Sequence, residues 1–361
     1  MGSEMCIRDR SQEGPRPGRA VPGGTPPGVP GAVAARPYHP EVATFTAPLL
    51  NPAQQDVVDL LGAKLDERPV FDAGLRHELR AELEEAIAPL VEGITADEPV
   101  FVSKHTLSGV HGCEGRHLAD AALPFAWSPA TARGAVVHKA VEMSVHWRGE
   151  LVPLDLVDEA MARLANDDRS ISDWLRTCDE GDRAELRAVA GERVTTFLEC
   201  FPPLASRWVP VTEGRLRADL VGGKVVLQGR TDLTLGRADG TRAGKVVIDL
   251  KTGRPSAAHV DDLRFYALVD TLRLGTPPRL TASYYLESAR AHAEPVTDGV
   301  LLAAVARTID GVRKLVELRA GREPVLSAGR ACGWCPAMLT CDVGRQHLGE
   351  LDDERWDDDA A

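Results

Sequence analysis

Two apolar, strand-like segments of this sequence carry charged side chains that could act on a phosphate. Asp232 lies in the first segment, and Asp249 and Lys251 lie in the second, separated by one leucine. Because side chains alternate along a strand, Asp249 and Lys251 share a face, roughly 7 Å apart. Carboxylates can hold Mg²⁺ or Mn²⁺ beside a phosphodiester, while a lysine aligns the attacking water or steadies the phosphate. The pattern therefore indicates metal-dependent hydrolysis of a phosphodiester.

A histidine far upstream is the candidate for a further metal ligand. His138 and Glu142 lie four residues apart on a helix predicted from Thr131, as its N-cap, to about Trp147, so they share a face. An imidazole added to carboxylate ligands shifts the preference of the site towards Mn²⁺. The residues by themselves leave ordinary alternatives open: a solvated strand face, a turn aspartate and a structural histidine. An unpaired charge within an apolar strand is costly, however, and this favours the joint site.

A second group of candidate ligands consists of cysteines. One of them, Cys113, lies far upstream of three that are close together near the C-terminus, namely Cys332, Cys335 and Cys341. Thiolates at this spacing suit zinc or an iron–sulfur cluster, and the third cysteine makes a simple redox pair a weaker interpretation. Spacing alone leaves the fourth ligand undecided. For zinc, the alternatives to Cys113 are His111, His117 and His347.

Composition bounds the class of protein. With 361 residues, of which 43% are hydrophobic, the chain can bury one large core or two modest ones, and we favour one elaborated domain. We expect no membrane span, because the sequence lacks a long uninterrupted apolar run, and no secretory signal. The cysteine usage favours the reducing cytoplasm. The net charge of −12 argues against a broad electrostatic contact with nucleic acid, so DNA binding would depend on local basic patches.

The elements that must position these residues form a mixed α/β pattern. A long helical stretch precedes three predicted strands, and a helix, a fourth strand and a final helix follow them. The predicted strands cover about residues 208–220, 224–235, 245–251 and 280–286. This order predicts a mixed sheet flanked by helices, in which a hairpin brings Asp232 next to Asp249 and Lys251.

The chain divides into three parts by composition. Residues 1–40 are rich in Pro, Gly and Arg, and we interpret them as a disordered or artefactual segment. Residues 41–347 form the single domain, and residues 348–361 form an acidic tail for which we expect disorder. Within the domain we expect a helical insertion and two cluster-binding segments, at about residues 150–203, 106–118 and 330–342 respectively.

The order and spacing of several motifs resemble those of the PD-(D/E)XK nuclease superfamily. The motifs are Gly134-Ala-Val-Val-His138-Lys-Ala-Val-Glu142, Gly229-Arg-Thr-Asp232, Asp249-Leu-Lys251-Thr-Gly253 and Leu263-Arg-Phe-Tyr266. The chain most resembles the branch of RecB-type and CRISPR-associated exonucleases, over about residues 100–345. The resemblance implies a restriction-endonuclease-like core with a C-terminal iron–sulfur staple.

The resemblance also implies roles for individual residues. The implied metal ligands are His138, Asp232, Asp249 and the Leu250 carbonyl. Lys251 would be the catalytic lysine. Tyr266 would complete the catalytic set as the aromatic residue of the helix motif behind the site. In this branch one early and three late cysteines bind a 4Fe–4S cluster, which implies the ligands Cys113, Cys332, Cys335 and Cys341. The chain departs from the usual pattern at Asp249, where glutamate is more frequent, and at Asp262, where glutamine is usual.

The implied function is a metal-dependent DNA nuclease, an exonuclease that acts on DNA ends or single strands in repair, recombination or defence. The alternative is a non-catalytic iron–sulfur DNA-binding subunit of a helicase–nuclease or CRISPR adaptation complex. In either case a helicase or an adaptation protein is a candidate partner. An iron–sulfur redox protein ranks last, because the sequence lacks a Gly-x-Gly-x-x-Gly motif for a nucleotide cofactor. The complete set of candidate catalytic residues favours the enzyme.

Overall fold

A six-stranded mixed sheet lies at the centre of the protein. The computed structural model describes residues 49–167 and 170–359, so the segment 1–40 predicted to be disordered lies outside the described residues. The strands are β1 (Val100–Val102), β2 (Val211–Leu220), β3 (Val225–Leu235), β4 (Val246–Lys251), β5 (Leu280–Tyr285) and β6 (Arg290–Pro295). Strands β1–β3 and β4–β5 pair in parallel, whereas β2–β3, β3–β4 and β5–β6 pair antiparallel. The predicted mixed α/β sheet is confirmed, and the structure adds the short strand β1 and the edge strand β6 to the four strands given above.

The sheet opens beside the middle of β3. Strand β2 pairs with β3 along most of its length and so occupies one edge. On the other edge, β1 pairs with β3 as far as Leu227, and β4 pairs with it from Leu233. Residues 228–232 border the opening between β1 and β4, where the Asp232 carboxylate accepts the backbone N–H of Leu250 at 2.7 Å. This side-chain bond replaces a backbone pair at the point where the strands diverge.

Helices cover both faces of the sheet. They are α1 (Pro52–Leu61), α2 (Leu75–Ile87), α3 (Lys104–Gly112), α4 (Glu114–Ala122), α5 (Pro129–Ser144), α6 (Pro153–Ala165), α7 (Ser170–Thr177), α8 (Glu180–Cys200), α9 (Ala258–Leu274), α10 (Asp298–Arg319) and α11 (Asp342–Asp359). Helices α5 to α8 bury apolar residues against one face, and α2, α9 and α10 bury theirs against the other. Along β4, Ile248 and Leu250 enter the first core, and Val247 enters the second. Strand alternation therefore places Asp249 and Lys251 on the side of α9.

Two predicted segments can be compared with these helices. The region expected to form a helical insertion contains α6, α7 and α8. The acidic segment expected to be disordered differs, because its residues 348–359 continue α11. Side-chain contacts one turn apart support the start of this helix: Arg345 pairs with Asp342, and the Gln346 amide donates to Glu350 at 2.9 Å. Within the described residues, none of the helices is both long and apolar enough to cross a membrane.

Candidate active site

Helix α5 brings His138 to the opening of the sheet. The N-cap of α5 is Ser128, whose hydroxyl accepts the Thr131 N–H at 3.3 Å. The prediction that Thr131 is the N-cap is therefore wrong, because Thr131 is the third helical residue of a capping box. His138 lies about two turns further on. Glu142, on the same face by its spacing, forms an ion pair with Lys139 at 2.9 Å.

His138 connects the strands that border the opening. Its Nε2 lies 2.9 Å from the Leu250 carbonyl oxygen on β4, and its Nδ1 lies 3.3 Å from Asp232 Oδ1 on β3. Burial by itself lowers the pKa of His138, but the Asp232 carboxylate outweighs it and raises the pKa to about 9. A protonated ring can donate to both oxygens. The ring thus joins Asp232 on β3 to the Leu250 carbonyl on β4.

Glu213, which the sequence analysis missed, completes this group. It lies on β2 between Thr212 and Gly214, which pair with Leu233 and Thr231 on either side of Asp232 on β3. Its backbone has a φ of 52°, in the left-handed region that is uncommon for a non-glycine residue, and its carboxylate lies 2.9 Å from Arg230 Nε. Three residues, His138, Glu213 and Asp232, can each offer one ligand atom, and these three atoms all lie within 4.8 Å of one another. The sequence shows that Glu213 lies in the strand before Asp232, but only the register of the hairpin shows that the two carboxylates lie close together.

Two lysines hold Asp249. The Asp249 side chain is 2% exposed, its Oδ1 accepts a hydrogen bond from Lys104 Nζ at 2.8 Å, and Lys251 Nζ lies 2.7 Å from Oδ2. Burial by itself raises the pKa of Asp249, but the two ammonium groups outweigh it and lower the pKa. Although Lys251 is close, Oδ2 is buried and receives no aligned hydrogen bond from the described residues. This oxygen therefore retains an unused position for a further cation or donor.

Lys104 is a second candidate that the sequence analysis missed. It is the first residue of α3, and its ammonium group reaches Asp249 on β4 and lies 4.9 Å from the ring centre of Tyr266. Burial by itself lowers the pKa of Lys104, but Asp249 and then Tyr266 raise it above the ordinary value. No local pattern marks this lysine, because the contact joins residues 145 positions apart. The sheet topology alone brings it to the site.

Tyr266 on α9 is buried with its ring against β3. A Cβ atom at Gly229 would lie 2.5 Å from Tyr266 Cε1, so the glycine makes room for the ring. About one turn earlier on α9, Asp262 accepts a hydrogen bond from Ser108 Oγ at 3.2 Å and lies 3.9 Å from Lys251 Nζ. The aspartate that departs from the usual family pattern thus lies next to the candidate catalytic lysine.

The structure brings most of the predicted metal ligands together. His138, Asp232 and the Leu250 carbonyl are in direct contact, and Glu213 joins them. Asp249 lies outside the group of described ligand atoms within 4.8 Å of one another, and its oxygens contact lysines instead. Carboxylate, carbonyl and imidazole ligands suit Mg²⁺ or Mn²⁺. The residues present, together with the unused position on Asp249 Oδ2, fit such a cation.

The four candidate cluster cysteines line one cavity of about 930 Å³. Cys113 lies between α3 and α4, and the other three belong to or follow two short helical turns, Arg330–Trp334 and Met338–Thr340. Cys341 directly precedes α11, and its Sγ accepts the Gly344 N–H at 3.4 Å. The fold thus brings the early cysteine and the late cysteines to one place.

The spacing of the sulfur atoms bears on which cofactor fits this cavity. Four sulfurs around a tetrahedral zinc ion, each at about 2.3 Å from it, would lie about 3.8 Å from one another. Within the described part of the chain, no three cysteine sulfurs lie within 4.8 Å of one another. Of the histidines considered as zinc ligands, His111 contacts the Arg307 carbonyl at 3.1 Å, whereas His117 lines the cavity. The described cysteine sulfurs therefore do not form a compact set of three ligands.

Comparisons with known proteins identify the family. The profile of the PD-(D/E)XK nuclease superfamily matches residues 102–342, and the chain belongs to this superfamily. None of the curated proteins matches the chain in sequence. A candidate exonuclease from Eubacterium rectale is similar in structure, with 12% identity over 66% of this chain and 87% of that chain and a TM-score of 0.39. The protein SSO0001 has 15% identity over 58% of this chain and 95% of that chain, with a TM-score of 0.28. Both likenesses are too distant to carry an inference about the site.

Proposed function

We propose that the protein is a divalent-metal-dependent deoxyribonuclease, a RecB-like exonuclease that acts on DNA ends or single strands. The observation that carries the proposal is the meeting of two groups at one opening of the sheet. The ligand group around His138 and Asp232 lies beside the buried pair of Asp249 and Lys251. The first group can hold a cation, and the second presents an ammonium group next to it. Membership of the PD-(D/E)XK superfamily supports the same activity.

Each residue has a distinct part in this proposal. The residues that would hold Mg²⁺ or Mn²⁺ are His138, Glu213, Asp232, Asp249 and, through its carbonyl, Leu250. When bound, the cation supplies positive charge to the phosphate and lowers the pKa of the attacking water. Lys251 orients that water or a phosphate oxygen from its position beside Asp249. Lys104 keeps Asp249 ionised from the other side, and Tyr266 supports the ammonium group of Lys104.

We also propose that the cysteine cavity holds a structural 4Fe–4S cluster, with zinc as the second candidate. The four thiols that line one cavity support the cluster. A cluster there would join the start of α4 to the segment before α11. Iron–sulfur ligation requires reduced thiols, which accords with a place in the cytoplasm.

The proposal extends to the pathway in which the protein acts. DNA repair, recombination or defence would each supply DNA ends or single strands as substrate. A helicase or a CRISPR adaptation protein would be the partner that exposes them. The same chain acting as a non-catalytic DNA-binding subunit is the second candidate, since Asp249 lies outside the described group of ligand atoms around His138 and its side chain contacts lysines.

A cleavage assay separates the two candidates. End-labelled single- and double-stranded DNA is incubated with the cluster-loaded protein and either Mn²⁺ or Mg²⁺. We expect shortening from the ends that chelation abolishes and that Asp232→Asn reduces by about a hundredfold or more. Asp173→Asn, at an exposed position on α7, is the matched control. Unchanged DNA with both metals, together with retained DNA binding, would select the non-catalytic subunit.

A further inference from the structure

A second cavity lies at the opposite end of the central strands from the candidate active site. It has a volume of about 370 Å³ and is bordered by α1, by the segment after α8 and by the turn between β3 and β4. Val246, the first residue of β4, lines it, whereas Lys251 ends the same strand at the active site. At a rise of roughly 3.3 Å per residue, the two sites are separated by roughly 16 Å along β4. The volume lies within the range of small-molecule sites.

Four arginines line this cavity, namely Arg68, Arg207, Arg237 and Arg279. No aspartate or glutamate lies among its described lining residues, and within the described chain none of the four arginines forms an ion pair. The remaining wall is largely apolar. In a chain with a net charge of −12, four arginines without acidic partners around one cavity are a marked local excess of positive charge.

Two of these arginines are partly buried and incompletely bonded. The Nε atoms of Arg68 and Arg279 are both buried without a hydrogen-bond partner among the described residues. Burial, and after it the nearby charge of Arg68, lowers the pKa of Arg279. Like charges with unused donors in a low-dielectric site are costly unless an anion compensates them. The geometry is that of a site for a phosphate or another compact anion, which arginine binds with two parallel donors.

Capping of α1 explains only part of this arrangement. Arg279 donates to the Leu61 carbonyl, and Arg68 Nη2 donates to the Ala63 carbonyl at 3.4 Å, near the C-terminal end of α1. Such bonds stabilise a helix C-terminus. They use one nitrogen of each guanidinium group and involve neither Arg207 nor Arg237, which are exposed at the cavity mouth.

The apolar wall carries an aromatic ring at the same mouth. Trp208 lines the cavity, and the Arg207 guanidinium lies 5.5 Å from the centre of its ring. The next residue, Val209, has a φ of 48°, which is rare for a β-branched residue, and the Gly236 N–H donates to the Trp208 carbonyl at 2.5 Å. Strained backbone of this kind is concentrated at functional sites. The turn fixes Trp208 in the cavity wall, and an indole ring is a flat apolar surface of the kind on which bases stack.

We propose that this cavity binds a nucleotide, with its phosphate between Arg68 and Arg279 and its base against Trp208. Arg207 and Arg237 close the phosphate end from the solvent side. The ligand is either a free nucleotide or the phosphorylated end of a strand, which share this chemistry. The site stands on its own contacts and does not depend on the proposed nuclease activity.

Calorimetric titration of the full-length protein in the presence of a chelator tests the proposal. Without a divalent cation the candidate active site lacks its main attraction for phosphate, so the titration reports on the arginine cavity. We expect dAMP to bind at one site. Deoxyadenosine and inorganic phosphate should each bind with an affinity at least about tenfold lower, because each lacks one half of the contacts. A 5′-phosphorylated oligonucleotide that binds better than dAMP and than its 5′-hydroxyl form would identify strand ends as the source. Weaker binding of that oligonucleotide than of dAMP would identify free nucleotides.

Variants locate the binding site. The double variant Arg207→Gln, Arg237→Gln alters only exposed side chains, so it should fold normally. Its affinity for dAMP should nevertheless fall about tenfold or more. Arg279→Gln should lower the affinity for dAMP further. Thermal unfolding of this variant measures any stability lost with the hydrogen bond from Arg279 to the end of α1. Arg163→Gln on α6 is the matched control and should bind like the parent. Absence of dAMP binding, or parental affinity in the double variant, would overturn the proposal. An inactive nuclease that still binds dAMP would count only against the proposed function.

Discussion

The sheet opening and the cysteine cavity both unite residues that are distant in the sequence, but they are held in different ways. At the opening, His138 contacts Asp232 and Leu250, and lysines contact Asp249. In the cysteine cavity the thiols are half-buried and free, and the one hydrogen bond to their sulfurs within the described chain is that to Cys341. Ion pairs therefore preorganise the first site, whereas the described thiols of the second receive one hydrogen bond, and the proposed cluster would hold them together. Loss of Lys251 should therefore lower activity far more than stability, whereas loss of a thiol from the proposed cluster should lower both.

One contact made by the protein alone spans the same gap as the proposed cluster. Glu114, next to Cys113, is 3% exposed, and its carboxylate accepts the Val325 N–H at 2.8 Å and pairs with Arg322 at 2.9 Å. The Arg322 hydrogen bond outweighs burial and lowers the pKa of Glu114. This pair holds the segment before the late cysteines in place, so the cluster would add to an existing closure rather than create it.

The largest expected effect belongs to Lys251→Ala. Removal of the ammonium group beside Asp249 should lower single-turnover cleavage by about 10²- to 10³-fold, because the reacting phosphate loses a preorganised charge. The unfolding temperature should change little, since Lys104 remains and makes the aligned hydrogen bond to Asp249, whereas Lys251 does not. Lys139→Ala, which removes a lysine paired with Glu142 instead, is the control. Parental cleavage by Lys251→Ala would remove its catalytic assignment.

Replacement of a thiol tests the other side of the comparison. Cys113→Ser should remove the visible absorbance and the bound iron of protein purified without oxygen. It should also destabilise the fold by about 2–4 kcal/mol, as expected for the loss of a long-range cross-link. Cys178→Ser, at a half-buried cysteine whose thiol contacts the Leu175 carbonyl, should change neither property. Full iron content in Cys113→Ser would place the fourth ligand elsewhere, and one stoichiometric zinc in a colourless parent would select zinc.

Lys104→Met tests whether the opening is preorganised by charge. Asp249 would keep one of its two lysines, and we expect a loss of about 1–3 kcal/mol, less than for a fully buried pair because Lys104 is 27% exposed. Added Mn²⁺ should then raise the unfolding temperature of the variant more than that of the parent, since a bound cation would replace the missing charge. Chemical denaturation with and without Mn²⁺ measures both effects. If Mn²⁺ raises the unfolding temperature of the parent and the variant equally, Lys104 and the cation do not share a site.

The sequence predicts some of this site and not the rest, for physical reasons. Asp249 and Lys251 follow from strand alternation, and Asp232 follows from the adjacent hairpin strand. Glu213 depends on a register and a left-handed backbone that no local pattern specifies. Lys104 depends on how α3 packs against the sheet, over a separation of 145 residues. Local periodicity therefore predicts which strands carry the charges, whereas the partners of those charges are set by tertiary packing.

The smallest expected effect concerns the packing behind the opening. In Gly229→Ala the new methyl group would lie 2.5 Å from the Tyr266 ring, and we expect a destabilisation of about 1–2 kcal/mol from overpacking. The same change in a Tyr266→Leu background should cost much less, because the smaller side chain vacates that space, and a double-mutant cycle measures the difference. Gly253→Ala is the control, since an added Cβ there meets no atom within 4 Å among its described neighbours. If Gly229→Ala is neutral in the parent, the ring moves freely, and the opening is less rigidly preorganised than its ion pairs indicate.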